Sequence, residues 1–397
     1  MEYRIAKGWR ITGCIVGAAL IITGIGFMGD ALIDSNNKGR LAFAIIGILM
    51  ALGGWLLIRS CINTKLTIED DSITMQTGFG TRTLLLNEIK GYRRVEKQGL
   101  MLGPETEGSK PLKISDSLQQ TKEIEAWLQS KYPDLDAVDY AEETNAILAD
   151  ETFGSSEEER QATLQSARQI AQVGNAVAFV TLFWTIIYPK PYELCILLLL
   201  LLPFVAFYIT WKFKGLMRMD EIKKSAYPSV VSLILLPCLG LCIRALIDYN
   251  IYDHHNVWQP VIVIGVVITA VAAWLCNKAL QLAKNRMLLN IGGLIIFFAY
   301  AYGATILMNG YQDTSKAQEY KVNVTGKHFT SGKSTTYYLE LESWGKFTTG
   351  ESFSVPHDLY NRVKEGDTVR VLLKQGKLNI PWFWITDDDT KIGVIRE

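Results

Sequence analysis

The chain has 397 residues, 49% of them hydrophobic, and 40 Lys and Arg residues balance 40 Asp and Glu residues, so its formal net charge is zero. A neutral chain has no overall positive field, which excludes the strongly basic class of nucleic-acid-binding proteins. The apolar residues are not spread evenly but collect in seven runs separated by polar stretches.

Every apolar run except the shorter third one comes close to the roughly 20 residues that a helix needs to cross a hydrocarbon core about 30 Å thick. The runs lie at residues 11–29, 41–58, 172–188, 192–211, 229–247, 259–276 and 287–308. They predict seven transmembrane helices, the first two within residues 1–61 and the other five within 172–308. A signal peptide is the alternative for the first run, but that run is long for a signal core and no small-x-small cleavage pattern follows it.

Loop charges predict sidedness, since Lys and Arg in short loops favour the cytoplasmic side. Three basic residues precede the first run, and the loop 212–227 is also basic, whereas residues 248–258 contain no Lys or Arg. We therefore expect a cell (inner) membrane protein with its N-terminus and residues 62–171 in the cytoplasm. Residues 309–397 are then extracytoplasmic.

In residues 62–132 the spacing of apolar residues changes from a helical to a strand-like period. Short β-prone segments alternate with turn signals at 70–71 and 78–80, and a helix with an apolar stripe ends the segment before Pro133. In the order "TKLTIEDDSITMQTGFGTRTLLLNEIKGY", a loop, and "PLKISDSLQQTKEIEAWLQSKY", the chain resembles the bacterial pleckstrin-homology-like (PH-like) domains found beside membrane spans. The resemblance implies a cytoplasmic domain for binding or assembly, without catalysis, in a bacterial multi-pass membrane protein.

A basic cluster within this segment consists of Lys90, Arg93, Arg94 and Lys97. Alternation along a strand places Lys90 and Arg94 on one face, and these two are the candidate lipid- or partner-facing residues. A cation near an anionic membrane surface contributes about 1 kcal/mol, so two cations are too few to hold a free domain on a membrane. The alternative is a solvated strand edge.

Residues 133–171 predict an acidic connector followed by a stalk helix. The first part is rich in Asp and Glu, which an anionic inner leaflet repels, so we expect it to project into the cytoplasm. Ser156 followed by Glu159 is a capping-box pattern, which predicts one continuous helix from about 157 to 188. Its first half is either a stalk that transmits motion or a spacer packed on a soluble domain.

Polar residues within the apolar runs are few. Arg244 is the ionisable candidate, and we expect it to anchor its helix at the membrane interface or to pair with Asp248. Pro203 and Pro237 are expected to kink the fourth and fifth runs, which is the basis of a transporter or channel alternative. Four polar residues are candidates for hydrogen bonds between helices: Asn175, Ser232, Thr269 and Asn290.

The sequence indicates no enzyme. Cys238 and Cys242 have the spacing of one helix face but no His or further Cys nearby. The adjacent His254 and His255, beside Asp253, point in different directions unless the loop bends, so a metal site there would need ligands from elsewhere. No Ser/His/acid set with defined spacing appears. We therefore predict no catalytic residue, no cofactor and no metal site.

Residues 309–397 return to alternation between turn signals, which predicts a small, mostly β domain with one short helix at 356–363. The stretch "SVPHDLYNRVKEGDTVRVLLKQGKLNIPWFWI" resembles small β domains appended to bacterial membrane proteins. Trp382, Phe383 and Trp384 put large rings on both faces of one strand, so at least one ring needs a partner surface or the membrane. Trp382 and Trp384 are the candidate exposed aromatic patch.

The expected fold is an α-helical membrane bundle with a PH-like β-sheet/helix domain and a small, mostly β C-terminal domain. Two folded modules on opposite sides of a bundle without internal polar machinery favour a non-enzymatic sensor or assembly scaffold. The expected partners are membrane lipid and proteins bound through the soluble domains. The sequence indicates no nucleic-acid partner and leaves the oligomeric state open.

Overall fold

The computed structural model describes residues 1–33, 40–96, 98–106, 108–275, 286–332 and 335–387. The chain divides into two compact units, Met1–Glu143 with Lys224–Ala226, and Thr144–Lys223 with Tyr227–Glu397. The helices are α1 Lys7–Ile33, α2 Arg40–Asn63, α3 Thr121–Lys131, α4 Leu135–Ala149, α5 Glu157–Ile187, α6 Tyr192–Lys212, α7 Val231–Asp248, α8 Trp258–Leu275, α9 Arg286–Tyr311 and α10 His357–Arg362. The strands are β1 Glu2–Arg4, β2 Lys65–Ile68, β3 Ser72–Thr77, β4 Gly80–Leu85, β5 Ile89–Val95, β6 Gly99–Pro104, β7 Leu112–Ile114, β8 Asn250–Ile251, β9 Gln318–Ser331, β10 Thr335–Leu341, β11 Glu351–Val355, β12 Thr368–Lys374 and β13 Trp382–Thr386.

Seven helices in the described part of the chain are long and apolar enough to cross a membrane: α1, α2 and α5 to α9. They coincide with the seven apolar runs, so the predicted helices are confirmed. α6 and α7 run without a break through Pro203 and Pro237, and both prolines are buried.

The first unit is built on two antiparallel sheets whose buried residues belong to one hydrophobic core. Strands β1 to β4 form a four-stranded sheet in sequence order, and β5 to β7 form a three-stranded sheet. Alternate residues of β2 point inward, with Leu66 fully buried, as the period of two requires. α3 closes the unit with Ile124 and Leu128 fully buried, so the predicted sheet and closing helix are both present.

One strand of this unit precedes α1. β1 pairs antiparallel with β2, with Tyr3 opposite Leu66. α1 and α2 are therefore inserted between two neighbouring strands, and both ends of the helical hairpin lie beside the same sheet. The sequence predicts only helices for residues 1–61, because a strand of three residues is too short to show a period.

α1 and α2 pack closely through glycines. A Cβ atom on Gly17 would lie 2.8 Å from the Gly54 carbonyl oxygen, and one on Gly24 would lie 2.6 Å from that of Gly47. The two backbones therefore nearly touch at two levels that are seven residues apart on each helix. Such close approach is how helices associate where no hydrophobic driving force acts between them.

The connector at residues 133–171 contains a helix that the sequence did not predict, and the predicted helix after it is present. Its acidic part forms the helix α4, since Leu135, Val138 and Ile147 give it an apolar stripe. α5 begins where the capping box predicts, with the Ser156 hydroxyl accepting a hydrogen bond from the Glu159 amide at 3.2 Å. Leu164 is buried in the first half of α5, so this part of the helix is packed and not free-standing.

The second unit combines α5 to α9 with a six-stranded antiparallel sheet in the order β11-β10-β9-β12-β13-β8. Its core is apolar and includes Val322, Leu339, Val369 and Phe383. The edge strand β8 comes from the segment between α7 and α8. The sheet of the C-terminal β domain thus extends into the helical part of the chain.

Candidate functional site at the base of the C-terminal β domain

Three segments of the second unit meet at the C-terminal ends of α7 and α9. β8 follows α7 directly and pairs with β13, with Ile251 opposite Trp382. The pairing continues past the strand, because the Tyr252 amide donates to the Pro381 carbonyl at 2.8 Å. The third segment consists of the residues that follow α9.

Asp313, two residues beyond α9, is the centre of this region. Its Oδ2 accepts hydrogen bonds from the Trp382 indole nitrogen at 2.8 Å and the Gly376 amide at 3.0 Å. Its Oδ1 accepts from the Ser315 amide at 2.7 Å, and the Lys374 ammonium lies 4.0 Å from Oδ2. A buried carboxylate with this many donors is satisfied in its charged form.

Two opposing effects act on the ionisation of this carboxyl group. Burial raises the pKa of Asp313, but the hydrogen bonds from Ser315 and Trp382 and the charge of Lys374 outweigh it, so the pKa lies below its ordinary value. Asp313 is therefore an ionised group at neutral pH. It holds the β12–β13 turn against the end of α9.

Asn309, in the last turns of α9, bonds to the same turn. Its side-chain nitrogen donates to the Ile380 carbonyl at 2.9 Å, and its side-chain oxygen accepts from the Leu378 amide at 2.9 Å. Gly376 has a φ of +75°, and a Cβ atom there would lie 2.3 Å from the Asn309 oxygen. The turn therefore requires glycine both for its backbone conformation and for space.

Aromatic packing completes the region. The Tyr249 and Trp382 rings meet edge to face with centroids 5.0 Å apart. Tyr249 also lies against Gly310, where a Cβ atom would come within 1.8 Å of its ring. We call Tyr249, Asn309, Asp313, Gly376 and Trp382 the sheet anchor, because together they join the β domain to α7 and α9.

The structure corrects the predicted exposed aromatic patch. Trp382 is only 3% exposed, because β8 and the end of α9 cover it and its indole nitrogen is bonded to Asp313. Trp384 is half-buried and stacks on Trp382 with centroids 5.2 Å apart. The partner surface that the sequence required for one ring lies within the chain itself.

A buried ion pair lies one turn before the sheet anchor on α7. Arg244 is 8% exposed and donates to both carboxylate oxygens of Asp248, from Nε to Oδ2 at 3.1 Å and from Nη2 to Oδ1. The Tyr192 hydroxyl at the start of α6 donates to the same Oδ2 at 2.8 Å. The predicted pairing of Arg244 with Asp248 is thus confirmed, and the pair lies inside the protein, where it links α6 to α7.

The two candidate residues of the first unit, Lys90 and Arg94, are both exposed on β5. A bulge between Ile89 and Gly91 interrupts the strand alternation that predicts a shared face for Lys90 and Arg94. Lys90 is exposed. Arg94 pairs with two carboxylates of its own unit, Asp116 at 3.2 Å and Glu125 at 2.5 Å; Lys97 lies outside the described residues.

Arg93 forms ion pairs with two carboxylates of α4, Asp139 at 2.5 Å and Asp136 at 3.5 Å. Asp136 also pairs with Lys224 at 2.9 Å, and this hydrogen bond raises the pKa of Lys224. The acidic run thus pairs with Arg93 of the basic cluster from within the unit. Sequence reasoning missed these pairs because their members are distant along the chain.

Apolar contact fixes the start of α4 on the same unit. Leu135 is buried against β5 and β6, where Cβ atoms on Gly91 and Gly103 would lie 2.7 and 2.8 Å from its side chain. Glu143, further along α4, accepts hydrogen bonds from the Ser225 hydroxyl at 2.6 Å and the Ala226 amide at 2.7 Å.

Among the residues that the structure describes, no group of three or more His, Cys, Asp or Glu residues is arranged to hold a metal ion. His328 pairs with Glu340 at 3.2 Å and stacks on Tyr338. His357 lies 2.9 Å from the Asn361 amide nitrogen. Both histidines thus have partners on the β-domain surface.

Comparisons with protein-family models, curated proteins and solved structures find no match to this chain. Its geometry therefore carries the functional conclusion.

Proposed function

We propose that this chain is a multi-pass integral membrane protein of a cell (inner) membrane that acts as a sensor or assembly scaffold and not as an enzyme. Its seven apolar helices cross the bilayer. The first unit carries a PH-like binding domain in the cytoplasm, and the C-terminal β domain is extracytoplasmic. The β domain binds a protein partner, and the sheet anchor passes the effect of binding to α7 and α9.

The sheet anchor is the single observation that carries this proposal. A domain attached only by a linker moves independently of what it is linked to. Here a strand shared with the segment after α7 and a buried carboxylate after α9 fix the β domain to two helix ends. A force or a binding event on the β domain therefore acts directly on those helices.

The PH-like assignment is supported by the order of elements. Short antiparallel strands with tight turns precede one closing helix, as the resemblance implies. The pairing of Arg93 and Arg94 with carboxylates of their own unit favours a protein-binding or assembly role over recognition of anionic lipid.

A transporter or channel subunit is the alternative, and it needs broken helices with polar groups lining a path. α6 and α7 instead continue through Pro203 and Pro237. The Thr269 hydroxyl donates to the Gly265 carbonyl of its own helix at 2.6 Å. These observations favour the sensor or scaffold.

Photo-crosslinking in the native host tests the proposal. A photoreactive amino acid replaces Phe329, which is 58% exposed on the β domain, and the matched control replaces Glu365 in an exposed turn of the same domain. We expect one reproducible protein adduct from position 329 that is absent from position 365. No adduct at any exposed β-domain position, together with solute or ion flux in proteoliposomes, would establish the transporter alternative instead.

A further inference from the structure

The turn between β3 and β4 lies against the end of α2. Only Gly78 and Phe79 separate the two strands, since Thr77 is already paired with Gly80. A Cβ atom on Gly78 would lie 2.7 Å from the Ser60 Cα and 2.8 Å from the Ser60 nitrogen. The backbone of the turn therefore touches the backbone of α2, three residues before that helix ends.

The side chain at the tip of this turn has an unusual chemistry for its position. Tight turns favour Gly, Asn, Asp, Pro and Ser, yet Phe79 occupies this one with 72% of its surface exposed. The opposite end of β3 carries the turn residues Asp70 and Asp71, both exposed. At about 3.3 Å per residue, the six residues of β3 place an apolar tip and an acidic tip about 20 Å apart.

The end of α2 has the composition of a membrane interface. Arg59 lies over the Trp55 ring, 5.3 Å from its centroid, and Ile62 in the last turn is exposed. α2 has 24 residues, so at about 1.5 Å per residue it exceeds a hydrocarbon core about 30 Å thick by about four residues. Ser60 therefore lies at the level where apolar core gives way to headgroups.

We infer that the Phe79 side chain inserts into the membrane. Its ring enters the boundary between headgroups and acyl chains of the bilayer that α2 crosses. The occupant of this surface is phospholipid, because the turn is continuous with a lipid-facing helix and the acidic residues of the sheet are at the other end of β3. Phe79 thus fixes the depth and tilt of the first-unit sheet at the membrane surface. The inference rests on the proposed membrane insertion of α2.

Site-directed spin labelling of the full chain tests this inference. The six native cysteines are replaced by serine, and the protein is reconstituted into vesicles of phosphatidylcholine and phosphatidylglycerol. Separate variants carry a nitroxide at Phe79→Cys, at Asp70→Cys as the aqueous control, and at Leu49→Cys, on the exposed face in the middle of α2, as the hydrocarbon reference. Collision rates with oxygen, which concentrates in lipid, and with a water-soluble nickel chelate report the environment of each label.

We expect the ratio of oxygen to nickel collisions at position 79 to exceed that at position 70 several-fold and to approach that at position 49. A lipid-like ratio at 49 with a water-like ratio at 79 would overturn the inference and leave the membrane-spanning proposal intact. A label at 79 that is shielded from both reagents would also overturn it, because the turn would then be covered by protein. A water-like ratio at 49 would refute both statements.

Discussion

The Asp313 carboxylate accepts a hydrogen bond from the Trp382 indole nitrogen at 2.8 Å, although the two residues are 69 positions apart in the chain. Both groups are buried, and the bond joins the residues after α9 to the last strand of the β domain. The bond therefore makes a specific contribution to the attachment of that domain, which single substitutions can measure.

Trp382→Phe keeps most of the ring but removes the donor. Removing one donor from a buried charged acceptor lowers the free energy of unfolding by about 1–3 kcal/mol. We therefore expect a lower apparent Tm for the purified protein in detergent. Trp384→Phe is the matched control, since its ring stacks on Trp382 but is only half-buried. Equal losses for the two variants would show that ring volume, and not the bond to Asp313, matters here.

The depressed pKa of Asp313 predicts a loss of stability in acid. A carboxyl group whose pKa is lower in the folded state contributes stability that is complete above its unfolded pKa of about 3.9. That contribution is lost as the pH falls through the lower folded pKa. We expect the apparent Tm of Asp313→Asn to fall less than that of the unsubstituted protein as the pH drops below about 4. The same fall in both proteins would contradict the lowered pKa of Asp313.

Gly376→Ala tests the fit of the turn to α9. A Cβ atom in the left-handed conformation costs about 1–2 kcal/mol, and at this position it also overlaps the Asn309 side chain. Gly366, with a φ of +88° and no atom within 4 Å of a built Cβ, is the matched control for the backbone term. We expect Gly376→Ala to lower the apparent Tm clearly more than Gly366→Ala does.

Single-cysteine labelling checks the proposed sidedness. Four exposed positions are suitable on a cysteine-free background: Ser109, Ser156, Asn256 and Ser331. In intact cells, an impermeant reagent should label positions 256 and 331 and leave 109 and 156 protected. Because β8 pairs with β13, positions 256 and 331 lie on the same side, so protection of both with labelling of 109 and 156 would place the β domain in the cytoplasm.

Arg93→Gln removes the ion pairs between β5 and α4. Partly exposed pairs contribute up to about 1 kcal/mol and are weakened by salt. We expect a small loss of apparent Tm at low ionic strength that disappears at high ionic strength. Lys90→Gln, on the same strand, is the control and should change little at either ionic strength.

The seven long helices could be predicted because their signal is local, being a run of apolar residues long enough to span a bilayer. The start of α5 was equally local, since Ser156 and Glu159 lie within one turn. β1 and β8 left no such signal, because strands of three and two residues exist only through their partners elsewhere in the chain.

The candidate sites show the same limit. The sequence around Arg94 indicates an unpaired cation, whereas in the folded unit Arg94 pairs with Asp116 and Glu125. The sequence predicts that Trp382 is exposed, whereas in the structure Asp313 and β8 contact it. In each case the residue type was informative about chemistry, but the partner was set by long-range folding that no spacing encodes.

The pairing of β1 with β2 has a consequence for biosynthesis. β1 leaves the ribosome before α1, whereas β2 leaves it only after α2, so the first sheet cannot close until the entire helical hairpin has been made. Once closed, the strand pair clasps the two ends of the hairpin beside each other. If α1 and α2 span the membrane as proposed, a hairpin in which only one of them had inserted would hold β1 and β2 on opposite sides and leave β2 without its edge partner.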